Sequence, residues 1–258
     1  MFYPDAPRTT HHALMHRFFV PGSWQIGDEV VLEEAQAHQI SQVLRLRPQT
    51  LITLLDNMGW AYTVTLTEVN KRQVRGRVTE RTPATGEPTT SLTLYQGLLK
   101  ADKFEWVLQK GTEIGVACFV PLITERSVVQ EVSTNKLARW QRILVEAAEQ
   151  SGRGRVPQLL TPTPFASALT SLLPDTLALI PYEQEKATSL RTSLAASPSR
   201  PLALFIGPEG GWSEAEIRLA QASGVMPITL GPRILRAETA AVVAAALTLY
   251  ERGELETS

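Results

Sequence analysis

The sequence predicts an α/β protein in which a small β-rich, barrel-like domain precedes a larger domain built on a mostly parallel sheet. Three observations carry this reading. Within residues 1–82, short runs rich in Val, Thr, Leu and aromatic residues are separated by Gly, Pro and Asn turns. From Leu92 the pattern changes to strand, helix, strand. Across Leu202–Ala240 two strand–loop–helix transitions follow one another, each with a glycine-bearing loop.

With 258 residues, 43% of them hydrophobic, the chain can bury a full core. A net charge of −1 places any nucleic-acid contact in local basic patches rather than over the whole surface. The single cysteine, Cys118, excludes an internal disulfide and a Cys-based zinc site, and within the apolar run Val116–Ile123 it is expected as a small core residue. The N-terminal stretch lacks an apolar segment with a cleavage site, and the longest apolar run, Ala240–Tyr250, is too short to span a bilayer. A cytoplasmic protein without a membrane partner is expected.

In the first domain the candidate strands are Arg17–Val20, Glu29–Leu32, Leu51–Asp56, Ala61–Val69 and Gln73–Thr79. Glu34–Leu44 reads as one helix with Ala37, Ile40, Val43 and Leu44 on one face. His11, His12, His16 and His38 all fall here, but only His12 and His16 have helical spacing and their flanks are unremarkable, so no metal site is expected. Arg8, Arg17, Arg45, Arg47 and the cluster Lys71, Arg72, Arg75 and Arg77 lie near Phe18, Phe19, Trp24 and Trp60. Such a set suits phosphate and base contacts, and equally a solvated rim.

Residues 83–91, rich in Pro, Gly, Thr and Ser, mark a linker to the second domain, 92–258. There Leu92–Leu99 reads as a strand, Asp102–Ile114 as a helix stopped by Gly115, and Ala117–Ile123 as the next strand, a unit that implies parallel pairing. The turns Lys100–Lys103 and Thr124–Ser127 then lie at carboxyl ends of strands, where open α/β sheets place ligands. Asn135–Glu149 is an amphipathic helix with Leu137, Trp140, Ile143, Leu144, Ala147 and Ala148 inward. Arg139 and Arg142 fall outside that stripe and Arg153 in the loop beyond it, either as a phosphate track or as a plain solvent face. Leu177–Ile180 is a buried strand, and Glu185–Ser199 is expected to return as a helix.

The tandem segment follows. Strand Leu202–Ile206 runs into the loop Gly207-Pro208-Glu209-Gly210-Gly211, and Ser213 with Glu216 three residues on is a capping box that starts a helix ending near Gly224. Strand Met226–Leu230 runs into the loop Gly231–Arg236, and a helix from about Glu238 or Thr239 reaches Arg252. Neither loop is a dinucleotide fingerprint or a P-loop, and the segment has no GxSxG and no histidine for a hydrolase triad. What it offers is backbone polar groups, the apolar walls Ile206, Leu230, Ile234 and Leu235, and the charges of Glu209, Arg233, Arg236 and Glu238, a set able to hold a nucleoside-like cofactor.

The segments KADKFEWVLQKGTEIGV, TERSVV, KLARWQRILVEAAEQSGR, FIGPEGGWSEAEI and LGPRILRAETA, with RFFV and HQISQVLRLRP nearer the N-terminus, resemble the ribosomal RNA small-subunit methyltransferase E family, within the SPOUT class. The resemblance implies a PUA-like RNA-binding barrel, a SPOUT domain tied in a trefoil knot, S-adenosylmethionine as methyl donor, and action as a homodimer on N3 of a uridine in 16S rRNA of the small ribosomal subunit. It further implies cofactor contacts from Leu179, Ile180 and Pro181, from Ile206, Gly207 and Gly211, and from Leu230, Gly231, Ile234, Leu235, Thr239 and Ala240.

Uridine N3 is a weakly acidic imide, so attack on a sulfonium methyl requires loss of its proton and stabilisation of the resulting charge. Arg236 is the leading candidate for the stabilising cation, with Arg126 or Arg153 of the partner subunit as alternatives. Glu209 or Glu238 is the candidate proton acceptor. Phosphate binding would account for Arg236 as well, and the helix macrodipole for Glu238. Arg17, Arg45, Arg47, Arg126, Arg139, Arg142 and Arg153 are the candidate RNA contacts. A ribose 2′-O methyltransferase of the same class and a non-catalytic RNA-binding assembly factor are the competing readings.

Overall fold

The computed structural model describes residues 16–197 and 201–256; of the histidines and arginines named above, His11, His12 and Arg8 lie outside them. The chain divides into two compact units, Met1–Ala84 and Thr85–Ser258.

The first unit holds β1 (Arg17–Phe19), β2 (Glu29–Glu33), α1 (Glu34–His38), β3 (Leu51–Leu55), β4 (Trp60–Val69) and β5 (Gln73–Pro83). Its sheet has the order β1-β3-β4-β5-β2, antiparallel except for β1 beside β3. Alternation decides the buried face: Tyr62, Val64 and Leu66 of β4 point inward against Ile52, Leu54, Val30 and Leu32. The helix expected over Glu34–Leu44 is α-helical only to His38. Gln39–Val43 form a wider turn, with Leu44 N donating to Gln39 O at 2.8 Å, five residues back. The wider turn rotates Val43 out of the predicted apolar face, and it is 64% exposed, whereas Ala37 and Ile40 remain buried.

The second unit runs β6 (Leu92–Gly97), α2 (Lys103–Ile114), β7 (Cys118–Ile123), α3 (Thr134–Ser151), β8 (Gln158–Leu159), β9 (Thr163–Pro164), α4 (Phe165–Thr170), β10 (Leu177–Pro181), α5 (Leu190–Ala195), β11 (Leu202–Ile206), α6 (Glu214–Ala222), β12 (Met226–Ile228) and α7 (Ala237–Glu251). The sheet is parallel throughout, ordered β12-β10-β11-β6-β7-β8 with β9 also on β7. Its central strands are apolar on both faces because helices cover both. One face carries a core of Leu92, Leu94, Leu204 and Ile206 with side chains of α2, α3 and α7; the other packs Phe205, Ile180 and Val120 under α4 and α6. Trp140 of α3 is fully buried and stacks on Phe104 of α2 with centroids 4.3 Å apart.

Two expectations change. The helix predicted for Glu185–Ser199 is confined to α5, because Glu185 Oε1 accepts from the N–H groups of Ala187 and Thr188, folding that segment into a turn. Ser189 then caps the helix by accepting from Thr192 N at 3.1 Å. Arg153, expected on the surface as an RNA contact, is only 3% exposed. Its guanidinium donates to Glu87 through Nε and Nη2 (3.1 and 2.7 Å) and to the carbonyls of Thr112 and Val116. It ties the segment at Glu87 to the ends of α2 and α3, and is corrected from an RNA contact to a structural cation.

Removing one partner of such a buried, fully hydrogen-bonded pair strands the other charge. Arg153→Ala is therefore expected to lower unfolding free energy by about 3 kcal/mol in urea titrations, whereas Arg142→Ala, at an exposed helix position, changes it by less than about 0.5 kcal/mol.

Candidate active site

Parallel pairing brings the carboxyl ends of β6, β10, β11 and β12 to one edge, and the loops that leave them build a cleft there. The end of β6 and the loop after β11 meet without room for side chains: a Cβ on Gly97 would lie 2.6 Å from Pro208 N. Buried Gln96 holds the same junction, its Nε2 donating to the carbonyls of Gly97 (2.9 Å) and Gly207 (3.3 Å). The loop turns back at Gly211, where φ is +67° and a Cβ would face open space but for Glu183 Oε2 at 3.6 Å.

Beyond the loop, Ser213 and Glu216 form the predicted capping box: Glu216 Oε2 accepts from Ser213 N, and Ser213 Oγ from Glu216 N. The other oxygen of Glu216 accepts from Glu125 N at 2.9 Å, so one buried carboxylate fixes both the start of α6 and the Thr124–Ser127 turn. Arg126 of that turn is exposed and donates through Nη1 to Gly210 O at 3.0 Å. Its guanidinium thus braces the glycine loop.

The resulting cleft has a volume of about 360 Å³. Ile206, Gly207, Glu209 and Gly211 form one wall, Pro181 and Glu183 a second, and Ile234, Leu235, Arg236, Glu238 and Ala240 a third. The structure therefore brings together most of the residues selected from the sequence. Leu179 and Ile180 are wholly buried in the sheet and do not line the cleft, nor do Leu230, Gly231 and Thr239. Ile234 stands 86% exposed, and Arg233 and Arg236 of the same loop are exposed as well.

The charged groups differ in how far they are committed. Burial pushes the Glu209 carboxyl up, but hydrogen bonds from Lys100 N–H (3.1 Å) and Lys103 Nζ (3.4 Å), with the lysine charge, outweigh it and hold the group below the usual carboxylate range. A carboxylate so stabilised is a weak base, which argues against Glu209 as proton acceptor. Glu238 lies in the first turn of α7 with Oε1 3.6 Å from Lys103 Nζ. Its Oε2 is buried and has no hydrogen-bond partner among the described residues. That oxygen can receive a donor from a bound molecule.

Lys103, Glu183 and Trp212 line the cleft and were not selected from the sequence. Lys103 carries a signal in the sequence, since the Lys100–Lys103 turn lies at a strand's carboxyl end; nothing local marks Glu183 or Trp212. Cys118 is half-buried, and burial pushes its thiol up to about 11. Among the described residues no three His, Cys, Asp or Glu side chains are arranged so that they could hold a metal ion.

A family model described as an RNA methyltransferase domain matches residues 86–249. The ribosomal RNA small subunit methyltransferase E of Synechocystis is 37% identical, over 90% of this chain and 77% of its own length. That of Bacillus subtilis is 34% identical, over 92% and 97%. Among solved structures, the ribosomal RNA small subunit methyltransferase E from Neisseria gonorrhoeae bound to S-adenosyl methionine superposes with a TM-score of 0.85 at 34% identity, covering 92% of this chain and 97% of that one. A methyltransferase from Legionella pneumophila in complex with the same cofactor gives 0.83 at 33% identity, with the same coverage. The loops that build the cleft lie within the matched span, and the chain belongs to the ribosomal RNA small subunit methyltransferase E family.

Proposed function

We propose that this chain is an S-adenosylmethionine-dependent methyltransferase acting on N3 of a uridine in 16S rRNA of the small ribosomal subunit. The observation that carries the reading is the convergence, at one edge of a parallel sheet, of a glycine-lined cleft with an exposed arginine and a carboxylate oxygen that lacks a partner. The residues fit the cofactor. Gly211 leaves a side-chain-free surface, Ile206 and Leu235 give apolar walls, and the unpartnered Oε2 of Glu238 awaits a donor. When bound, S-adenosylmethionine supplies an electrophilic methyl group on a positively charged sulfur.

The chain's own residues must do the rest. Arg236, exposed at the mouth of the cleft, is placed to meet the negative charge that develops on O2 and O4 of the base as N3 gives up its proton. Of the two candidate acceptors for that proton, Glu209 is disfavoured because its carboxylate is committed to Lys100 N–H and Lys103. Ile206 and Leu235 exclude water from the reacting atoms.

RNA phosphates are assigned to Arg17, Arg45 and Arg47 of the first unit, read as a PUA-like RNA-binding domain spanning residues 1–82, and to Arg126, Arg139 and Arg142 of the second. Arg45, Arg47 and Arg142 are exposed. Arg139 is 62% exposed at its side chain while paired to Glu105 at 2.7 Å. A homodimer is supported by α7, which is apolar on nearly all sides: Ala241, Ala244 and Ala245 are buried, while Leu247 and Tyr250 stand 44% and 53% exposed on the other side. Among the described residues no helix is long and apolar enough to cross a membrane, and with this substrate we place the protein in the cytoplasm.

Methyl transfer from labelled cofactor to small-subunit rRNA tests the function. Arg236→Ala is expected to slow transfer by about a hundredfold or more, with cofactor Kd in calorimetry within about threefold of wild type; unchanged turnover would remove Arg236 from the chemistry. Gly211→Val sets a β-branched residue at φ +67° with its side chain toward the cleft and should weaken cofactor binding by about a hundredfold. Normal binding by that variant would place the cofactor elsewhere.

A further inference from the structure

Lys103 occupies an unfavourable place by local rules. It is the first residue of α2, where the positive end of the helix dipole repels a cation, and no side chain caps that helix. Its ammonium is instead held between two carboxylates from distant elements, Glu209 Oε1 at 3.4 Å and Glu238 Oε1 at 3.6 Å. Glu209 belongs to the glycine loop after β11 and Glu238 to the first turn of α7, so the three residues come from three separate elements that line the cleft. The side chains are 34%, 26% and 15% exposed for Lys103, Glu209 and Glu238, so the bridge is screened less than a fully exposed ion pair. Glu209 is further fixed by Lys100 N–H, and Glu238 has one oxygen turned to Lys103 and the other left without a partner.

We propose that Lys103 is a positioning residue of the methyl-donor site: its ammonium bridges Glu209 and Glu238 and holds the glycine loop against the start of α7. Without the bridge, two carboxylates face one another across the cleft with no cation between them, and their repulsion separates its walls. An arginine at this position can span the same two carboxylates; a methionine keeps the length but not the charge.

The inference rests on the cofactor-binding reading above, and its test separates the two. Amide hydrogen exchange of the cofactor-free protein is measured by mass spectrometry for wild type, Lys103→Met and Lys103→Arg, together with S-adenosylmethionine Kd by calorimetry. Lys103→Met should raise exchange selectively in residues 207–211 and 236–240, leave the central strands β6 and β11 protected, and weaken cofactor binding by about tenfold, and Lys103→Arg should restore both to near wild type. Unchanged exchange in those two segments in Lys103→Met, or exchange raised evenly over the second unit, overturns the bridge. Should Lys103→Met not fold, Glu238→Gln is measured in its place: it keeps the shape and removes one end of the bridge, and unchanged exchange at 207–211 would overturn the proposal equally. If wild type binds no S-adenosylmethionine, the cofactor reading falls, while the exchange comparison still decides the bridge.

Discussion

The second unit depends on one geometric constraint: in a parallel sheet every strand ends on the same edge, so all the loops that leave it must share one small region. The cleft is the consequence. β6 and β11 are neighbours, and the chain leaving each must turn away without colliding. At Gly97 there is no space for a Cβ against Pro208, and Gln96 donates to the carbonyls of Gly97 and Gly207 that this crowding would otherwise leave unmet. Once that junction is set, the glycine loop, the start of α6 and the start of α7 have little freedom in where they lie.

Carboxylates fix the remaining backbone. Glu216 holds Ser213 N and Glu125 N, Glu209 holds Lys100 N, Glu87 holds Arg155 N, and Glu254 takes Thr89 and Thr90. Each ties a loop to an element far along the chain, and each needs a carboxylate because two oxygens can serve two partners at once. Glu216 and Glu209 in this way tie the loops of the site to other elements, which suits orienting a reacting base against a methyl group. Glu238 differs from this set. Its second oxygen is buried and has no hydrogen-bond partner among the described residues.

What was legible in the sequence follows the range of the interaction that decides each feature. The strand–helix–strand unit, the apolar stripe of α3 and the Ser213–Glu216 capping box are set within a few residues, and they stand where the sequence placed them. The two glycine-bearing loops stand after their strands, and residues of both line one cleft. Local pattern failed where a distant partner decides. Arg153 looks like a surface cation until Glu87, 66 residues away, and two carbonyls enclose it. Lys103 looks like an ordinary first-turn lysine until Glu209, 106 residues on, reaches it. Gln39–Val43 misled because a widened helical turn keeps the same composition while shifting which side chains point inward. The knot implied by the family resemblance is a matter of how the chain threads, and no periodicity encodes it.

The central claim is that this cleft transfers a methyl group to a base nitrogen of rRNA. Its most direct test is mass mapping of nucleosides from small ribosomal subunits and from naked 16S rRNA, each incubated with the protein and labelled S-adenosylmethionine. The account predicts label on the base of a single uridine, at N3, that disappears with Arg236→Ala. Label on a ribose, or RNA bound without any label transferred, would contradict it.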